Sequence, residues 1–546
     1  MSTTTDLLVT NAKVYTVDRS RPWAAAFAVR DGRIVAFDGE ALATDAATTV
    51  DLGGAAVMPG LIDVHNHHAL AGLSDLYELT FSPNASLAEA LEAIAAHSAT
   101  LKDGEWVVGG SWGSTLFDEL ARPEALAALN AASGGHPVVL TDDSRHNRWV
   151  NSRALELAGV TDATADPEGG RILRDAAGHA TGVMLEHAGL LVERTRAASN
   201  PLTAEQSRRA SARGIEILHS YGVTAFQDAA ISLDAMRALQ SLDASGELRA
   251  WVVTSLLVND PIFGFPVTGD ELIAQGEAHR SEHHRPDFIK IFLDGVPPAH
   301  TGAFLEPYLP SAEYGDHFCG HTTMPADELL ATLRSAASRG LGAKIHCSGD
   351  AAVRMVLDTV EVLRGEGVTQ RYQIAHGQFI AESDLPRLAA LRVSADISPF
   401  LWVPGVIPDA IATAVPAPRA ARMQPNRSLI DSGALVAGGS DWPVSETPDA
   451  WEGIEGLVTR ADPSGRHPGT LWAEQAITLA DAIEVFTING ARAMGLGDIA
   501  GSLEVGKSAD FIVLDAHPFE VAVDDLADVR VTQTWFAGER VYARQG

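Results

Sequence analysis

Through the middle of the chain, short apolar runs of strand length alternate with helix-like segments, an order that predicts a parallel α/β sheet or barrel. Eight candidate strands fall near residues 56–64, 222–228, 249–257, 287–294, 342–348, 371–377, 392–398 and 435–441. Eight strands close a (β/α)8 barrel of the TIM type, and such a barrel carries its active site at the C-terminal ends of its strands. The first gap is far longer than one strand–helix connection. The stretch from about 70 to 210 therefore reads as an inserted subdomain, with a helix-like piece at 87–93 and a strand-like one at 106–110.

The two ends have a different texture. Residues 7–17 form one strand candidate, and 26–29 with Arg33–Phe37 form a hairpin around Asp31 and Gly32. At the other end, 509–514 and Val531–Phe536 are strands, and 537–539 is a turn before 540–542. Strand-rich ends around a different middle predict one small β domain built from 1–55 and 498–546, with the barrel over 56–497.

Composition narrows the class. The chain has 546 residues, 46% hydrophobic and 20% charged, which indicates a large folded domain with accessory pieces rather than disorder. No apolar run is long enough to span a bilayer, and the start has no signal-peptide core. With only Cys319 and Cys347, a disulfide framework is excluded and a cytoplasmic protein is expected. A net charge of −31 opposes nucleic acid and anionic lipid as partners. The expected partner is a small-molecule substrate, and size and class suggest a homodimer.

The candidate chemistry sits at the strand ends. In Asp63-Val64-His65-Asn66-His67 the two imidazoles share a strand face and can aim at one point. Imidazole is the commonest protein ligand for zinc and similar metals. His346 and His376 end the fifth and sixth strands, and Asp441, at the end of the eighth, can bind metal or move a proton. Lys290 has apolar neighbours on both sides along its strand, costly for a free ammonium. Only five of the 40 basic residues are lysines, so a Lys there calls for a reason. Burial lowers its pKa, and a neutral amine can take up CO2 as a carbamate that bridges two metals. The alternative is pairing with a buried carboxylate such as Asp294. Lys344, deeper in its strand, competes for the carbamate role. Cys347 faces away from His346 and is not counted as a ligand.

With these motifs in place, the sequence resembles the metal-dependent amidohydrolase superfamily, and within it the YtcJ-like branch that includes N-substituted formamide deformylases. The resemblance rests on residues 57–67, 290–295, 345–350, 374–376 and 439–444. It extends to 143–152 and to the tail 501–510. It implies a barrel with a small β-sandwich domain and one or two divalent metals, usually zinc. His65, His67 and Asp441 would hold the more buried ion, His346 and His376 the second, and carboxylated Lys290 would bridge them. His68 directly after the pair, and the polar approach 142–145 to His146, depart from the usual pattern where substrate preference is expected to be set.

The implied reaction is hydrolysis of a C–N bond, most simply an amide, with Asp441 as proton shuttle and His146 holding the carbonyl oxygen or the substrate. Trp112, Trp149, Phe400, Trp402 and Trp442 are candidates for an aromatic substrate wall, with core packing the commoner role for each and Trp442 the best placed, beside Asp441. Glu186 and Asp294 are further candidate pocket residues. A deaminase or cyclic-amide hydrolase on the same barrel is the alternative. A non-catalytic binding protein is a third reading, opposed by the complete ligand set.

Overall fold

The structure is a computed structural model that describes residues 5–199, 201–260 and 262–545. Its centre is an all-parallel sheet of eight strands in sequence order: β1 (Leu61–Asn66), β2 (Val223–Ile231), β3 (Trp251–Leu257), β4 (His284–Phe292), β5 (Gly342–Cys347), β6 (Tyr372–His376), β7 (Val393–Ile397) and β8 (Val436–Gly438). The ring is drawn shut beyond the ends of β8 and β1. There the Asp441 N–H donates to His65 O at 2.6 Å and the His67 N–H to Trp442 O at 2.8 Å.

These strands form because they are apolar on both faces. β2 and β3 are buried along their whole length, as expected where helices cover one face of a sheet and the barrel interior the other. The helices supply matching stripes. In Asp350–Gly365, Val353, Val356, Leu357, Val360 and Leu363 recur at helical spacing and pack into the same core as Ile345 and Ile374.

The strand expected over 56–64 divides at Gly60. Ala56–Pro59 pairs with Phe511–Leu514 and Lys13–Tyr15 in a six-stranded sheet, and only Leu61–Asn66 joins the barrel. The strand expected over 7–17 also divides. Thr5–Thr10 lies in a four-stranded sheet and Lys13–Tyr15 in the six-stranded one, with Asn11 between them at φ 52°. A residue in the left-handed region turns the chain from one sheet to the other. The hairpin at Phe27–Arg30 and Arg33–Phe37 turns through Asp31 and Gly32, both with positive φ, as the favoured two-residue hairpin turn requires. The apolar faces of the two sheets meet around Val9, Phe27, Val57 and Phe511, so both ends of the chain build one sandwich.

Between β1 and β2 lies a separate five-stranded sheet made of Val107–Trp112, Val138–Asp142, Asn147–Val150, Gly170–Arg174 and Ala180–Glu186. It has its own apolar core around Leu129, Leu140 and Val183. The helix Leu87–Ser98 precedes it, opened by a reciprocal capping box between Ser86 and Glu89.

Candidate metal centre and active site

β1 delivers His65, with His67 one residue past its end. β4 carries Lys290, β5 carries His346, β6 ends on His376, and Asp441 lies three residues beyond β8. All six are buried. His65 Nε2 and His67 Nε2 each lie 3.4 Å from Asp441 Oδ1. One ligand atom from each of these three residues falls within 4.8 Å of the other two. His376 Nδ1 is 3.9 Å from Asp441 Oδ2. The His376 ring stands between those of His65 and His346, at 4.8 and 4.7 Å between centroids.

The donors fit a divalent ion. Among the described residues, His65 Nε2, His67 Nδ1 and His376 Nδ1 are buried without a hydrogen-bond partner. Burial, reinforced by neighbouring cationic groups, holds His65, His346 and His376 well below the ordinary imidazole pKa. They are neutral, which is the form that ligates. Of these, His65 Nε2 and His376 Nδ1 face the Asp441 carboxylate, and unsatisfied imidazole nitrogens buried beside it are costly unless something electrophilic takes them up.

The residues behind the cluster aim it. His65 Nδ1 donates to Asp396 Oδ2 at 2.7 Å, which leaves its Nε2 to face Asp441. Asp63 accepts from the backbone N–H groups of His65 and Ser440, both at 3.0 Å, and from Ser440 Oγ at 2.6 Å, fastening β1 to the loop after β8. His376 and Asp441 have left-handed backbones, with φ of 69° and 57°. Such conformations gather at sites whose surroundings hold them in place.

Lys290 and Lys344 are direct register partners on β4 and β5, so Lys344 is no deeper than Lys290. Their environments separate them. Lys344 Nζ donates to Asp396, a buried ion pair that occupies the amine. Lys290 Nζ lies over the Phe292 ring at 4.6 Å, and burial followed by the Lys344 charge lowers its pKa to about 8. Asp294 does not pair with it. Its carboxylate instead accepts from the N–H groups of Ala303, Ser348 and Gly349, at 2.8–2.9 Å. His346 Nε2 donates to Gly295 O at 3.2 Å.

The inserted sheet supplies His146, whose ring lies 5.2 Å from that of His346. Its Nδ1 donates to Glu186 Oε2 at 2.8 Å, and Glu186 also accepts from Thr301 Oγ1 at 2.6 Å. Burial pulls the His146 pKa down, but the charge and hydrogen bond of Glu186 outweigh it and leave the imidazole above its ordinary value.

Two small cavities open on these groups. One of about 50 Å3 is lined by His146, His346, His376, Trp402 and Asp441. The other, about 20 Å3, touches His65, His67, Arg145, Lys290 and Asp441. Trp402 is thus at the site. Trp112 and Trp149 line neither cavity. They pack inside the inserted sheet, where Trp112 Nε1 donates to Leu140 O at 3.3 Å. Trp442 is buried in the barrel core; its carbonyl accepts from the His67 N–H and its own N–H donates to Ser440 Oγ at 3.0 Å. Glu186 and Asp294 face a larger cavity of about 690 Å3 beside the site.

Asp396 and Asp63 were not among the residues expected from sequence. The signal for Asp396 was an acid inside the apolar strand Val393–Ile397, which needs a buried partner.

A parallel barrel with a His-His-Asp cluster at its strand ends defines a metal-dependent hydrolase. The chain belongs to the amidohydrolase family, whose model matches residues 48–542, and it is a hydrolase of carbon–nitrogen bonds other than peptide bonds. It is similar to the N-substituted formamide deformylase of Arthrobacter pascens, with 29% identity over 99% of both chains. YtcJ of Bacillus subtilis (strain 168) is 26% identical, covering 91% of this chain and 90% of that one. Among solved structures, an uncharacterized metal-dependent hydrolase from Pyrococcus horikoshii OT3 superposes with a TM-score of 0.73 at 23% identity, covering 95% of this chain and 99% of the other, which places the fold.

Proposed function

We propose that the protein hydrolyses the amide bond of a small molecule, with N-substituted formamides as the first substrates to test, using zinc held by His65, His67 and Asp441. The observation that carries this reading is the convergence of those three residues on one point, with imidazole nitrogens left unsatisfied. His346 and His376 would hold a second ion, and Lys290, as a carbamate, would bridge the two. Its lowered pKa supports that modification, since the neutral amine is the form that attacks CO2. Zinc at such a site lowers the pKa of water and polarises a carbonyl.

The chain's own groups then have distinct tasks. An Asp441 carboxylate oxygen takes the proton from the attacking water and passes it to the leaving nitrogen, which departs poorly unless protonated. His146 has its Nδ1 committed to Glu186, so its Nε2 is free to donate to the substrate carbonyl oxygen. The raised pKa of His146 favours the doubly protonated ring that such a donor needs. Trp402 forms an apolar wall against the bound amide.

The test is metal content together with amine release from a panel of N-substituted formamides and simple amides, before and after chelation. Roughly one to two zinc per chain with chelator-sensitive release is expected. Stoichiometric metal with release only from cyclic amides or aminated rings would move the reading to those bonds. No metal after reconstitution would remove the ligand assignment.

A further inference from the structure

Arg145 stands in the turn between Val138–Asp142 and Asn147–Val150, with a φ of 62°. A side chain in this left-handed region is strained, and such strain persists where the surroundings impose it. Its Nε is buried with no hydrogen-bond partner among the described residues, and no carboxylate among them pairs with its guanidinium. Most of the charges nearby are already paired. Arg148 and Arg196 share Glu193 at 2.6 and 2.8 Å, and the exposed Asp234 pairs with Arg237 at 3.2 Å. Glu78, which accepts from Ser74 at 2.5 Å, acts on Arg145 at longer range. Among the described residues Arg145 has no ion-pair partner within 4 Å.

Its position gives that charge a use. Arg145 and Phe263 line both the 20 Å3 cavity at His65, His67 and Asp441 and an adjoining cavity of about 260 Å3. The walls of the larger space include Leu70, Leu73, Val108 and Phe265. Arg148, Glu193, Arg196 and Asp234 also line it, but these are tied up in ion pairs. Apolar walls with a guanidinium lacking an ion-pair partner at the edge of the reaction centre therefore suit a ligand that is apolar along its length and anionic beside the reacting bond. The planar fork of arginine matches a carboxylate in particular.

We propose that this chamber is a substrate subsite and that Arg145 binds a substrate carboxylate, so that the amide cleaved is an N-acylated apolar amino acid or a similar amide acid. The inference rests on the amide-hydrolase reading above.

The probe is 4-methylpentanoate, a leucine-sized carboxylate with no bond to cleave, titrated calorimetrically into the metal-loaded protein. Arg145→Gly is the informative variant, because glycine adopts positive φ without strain and the turn should keep its shape. Binding is expected to weaken at least tenfold in Arg145→Gly, with an intermediate loss in Arg145→Lys. Equal affinity in all three proteins, or no binding to the wild type, would overturn the subsite. A second readout compares N-formylleucine with N-formylleucinamide. The wild type is expected to favour the acid at least tenfold in kcat/KM, and Arg145→Gly to lose that preference through KM. A fall in kcat of equal size on both substrates would instead make Arg145 a general electrostatic group and overturn the proposal. Arg145-dependent binding without turnover of either compound would discard formamides and keep the subsite. Turnover of neutral formamides without carboxylate binding would do the reverse.

Discussion

The imidazole of His65 donates through Nδ1 to Asp396, which also accepts from the ammonium of Lys344, so one buried carboxylate on β7 governs a ring on β1 and a charge on β5. The hydrogen bond sets which nitrogen of His65 faces Asp441, and the ion pair keeps Lys344 from competing with Lys290. Asp396→Asn preserves the shape and removes the charge. Zinc affinity is expected to fall by about 10–100-fold, the usual effect of losing an outer partner of a metal-binding imidazole. Competition against a chelator of known affinity measures it. Unchanged affinity would show that His65 is oriented without Asp396.

Lys290 offers a separate handle. Its pKa of about 8 means that the reactive neutral amine becomes the major form only as pH rises through that value. Apoprotein reloaded with zinc at pH 8.5 with bicarbonate is expected to take up more metal than the same protein in CO2-free buffer, with a smaller difference at pH 6.5. A 13C carbamate signal from labelled bicarbonate should appear in the wild type and vanish in Lys290→Met. Uptake indifferent to bicarbonate, with no such signal, would remove the carbamate and leave Lys290 as a buried amine over Phe292.

Much of this arrangement was legible in the sequence, and the parts that were not share a cause. The barrel strands stood out because they are apolar runs, several of them ending in a polar residue, and His65 with His67 because a two-residue spacing puts side chains on one face. The division at Gly60 is marked only by the Pro59-Gly60 step, since the residues around it are apolar or neutral and either sheet accepts them; the choice is made by pairing with Phe511–Leu514, some 450 residues away. Asp396 has no recognisable spacing, because its partners His65 and Lys344 come from other strands; Asp63 stands two residues before His65, but its hold on Ser440 comes from the loop after β8. Trp112 and Trp149 take the core alternative. Aromatics near site motifs suggested a pocket wall, but a separate sheet needs a core, and they fill it.

Away from the site, Asp449 caps the helix Ala450–Thr459 and accepts from the Trp451 N–H at 3.1 Å. Burial, with Glu452 adding to it, pushes its pKa up to about 7. A helix N-terminus favours the anion by only about 0.3–1 kcal/mol, which does not offset that burial. In the unfolded chain the group titrates near pH ~3.9. Between those values the folded protein keeps a proton that the unfolded chain has released, so this group's contribution to stability falls as pH rises through the window. Asn caps equally well without a charge. The Tm of Asp449→Asn relative to wild type should therefore be near zero difference at pH 4, rise through neutrality and level off above pH 7. A difference independent of pH would count against the buried acid.

Gly439 ties the barrel's closure to its chemistry. A Cβ there would lie 2.4 Å from His65 Cβ and 2.7 Å from His65 N, atoms of a strand that cannot swing aside. Gly439→Ala must therefore push the end of β8 away from β1 and strain the contact through which the Asp441 N–H reaches His65 O. The expected cost is about 1–3 kcal/mol of stability, typical of overpacking a core. Weaker zinc binding should accompany it, because Asp441 is displaced relative to His65 and His67. Gly39→Ala is the control, since a Cβ there meets nothing within 4 Å. Thermal unfolding and zinc titration of both variants test the coupling. A Gly439→Ala protein that loses stability yet binds zinc as the wild type does would show that the cluster tolerates an opened seam, and that closure and metal binding are independent.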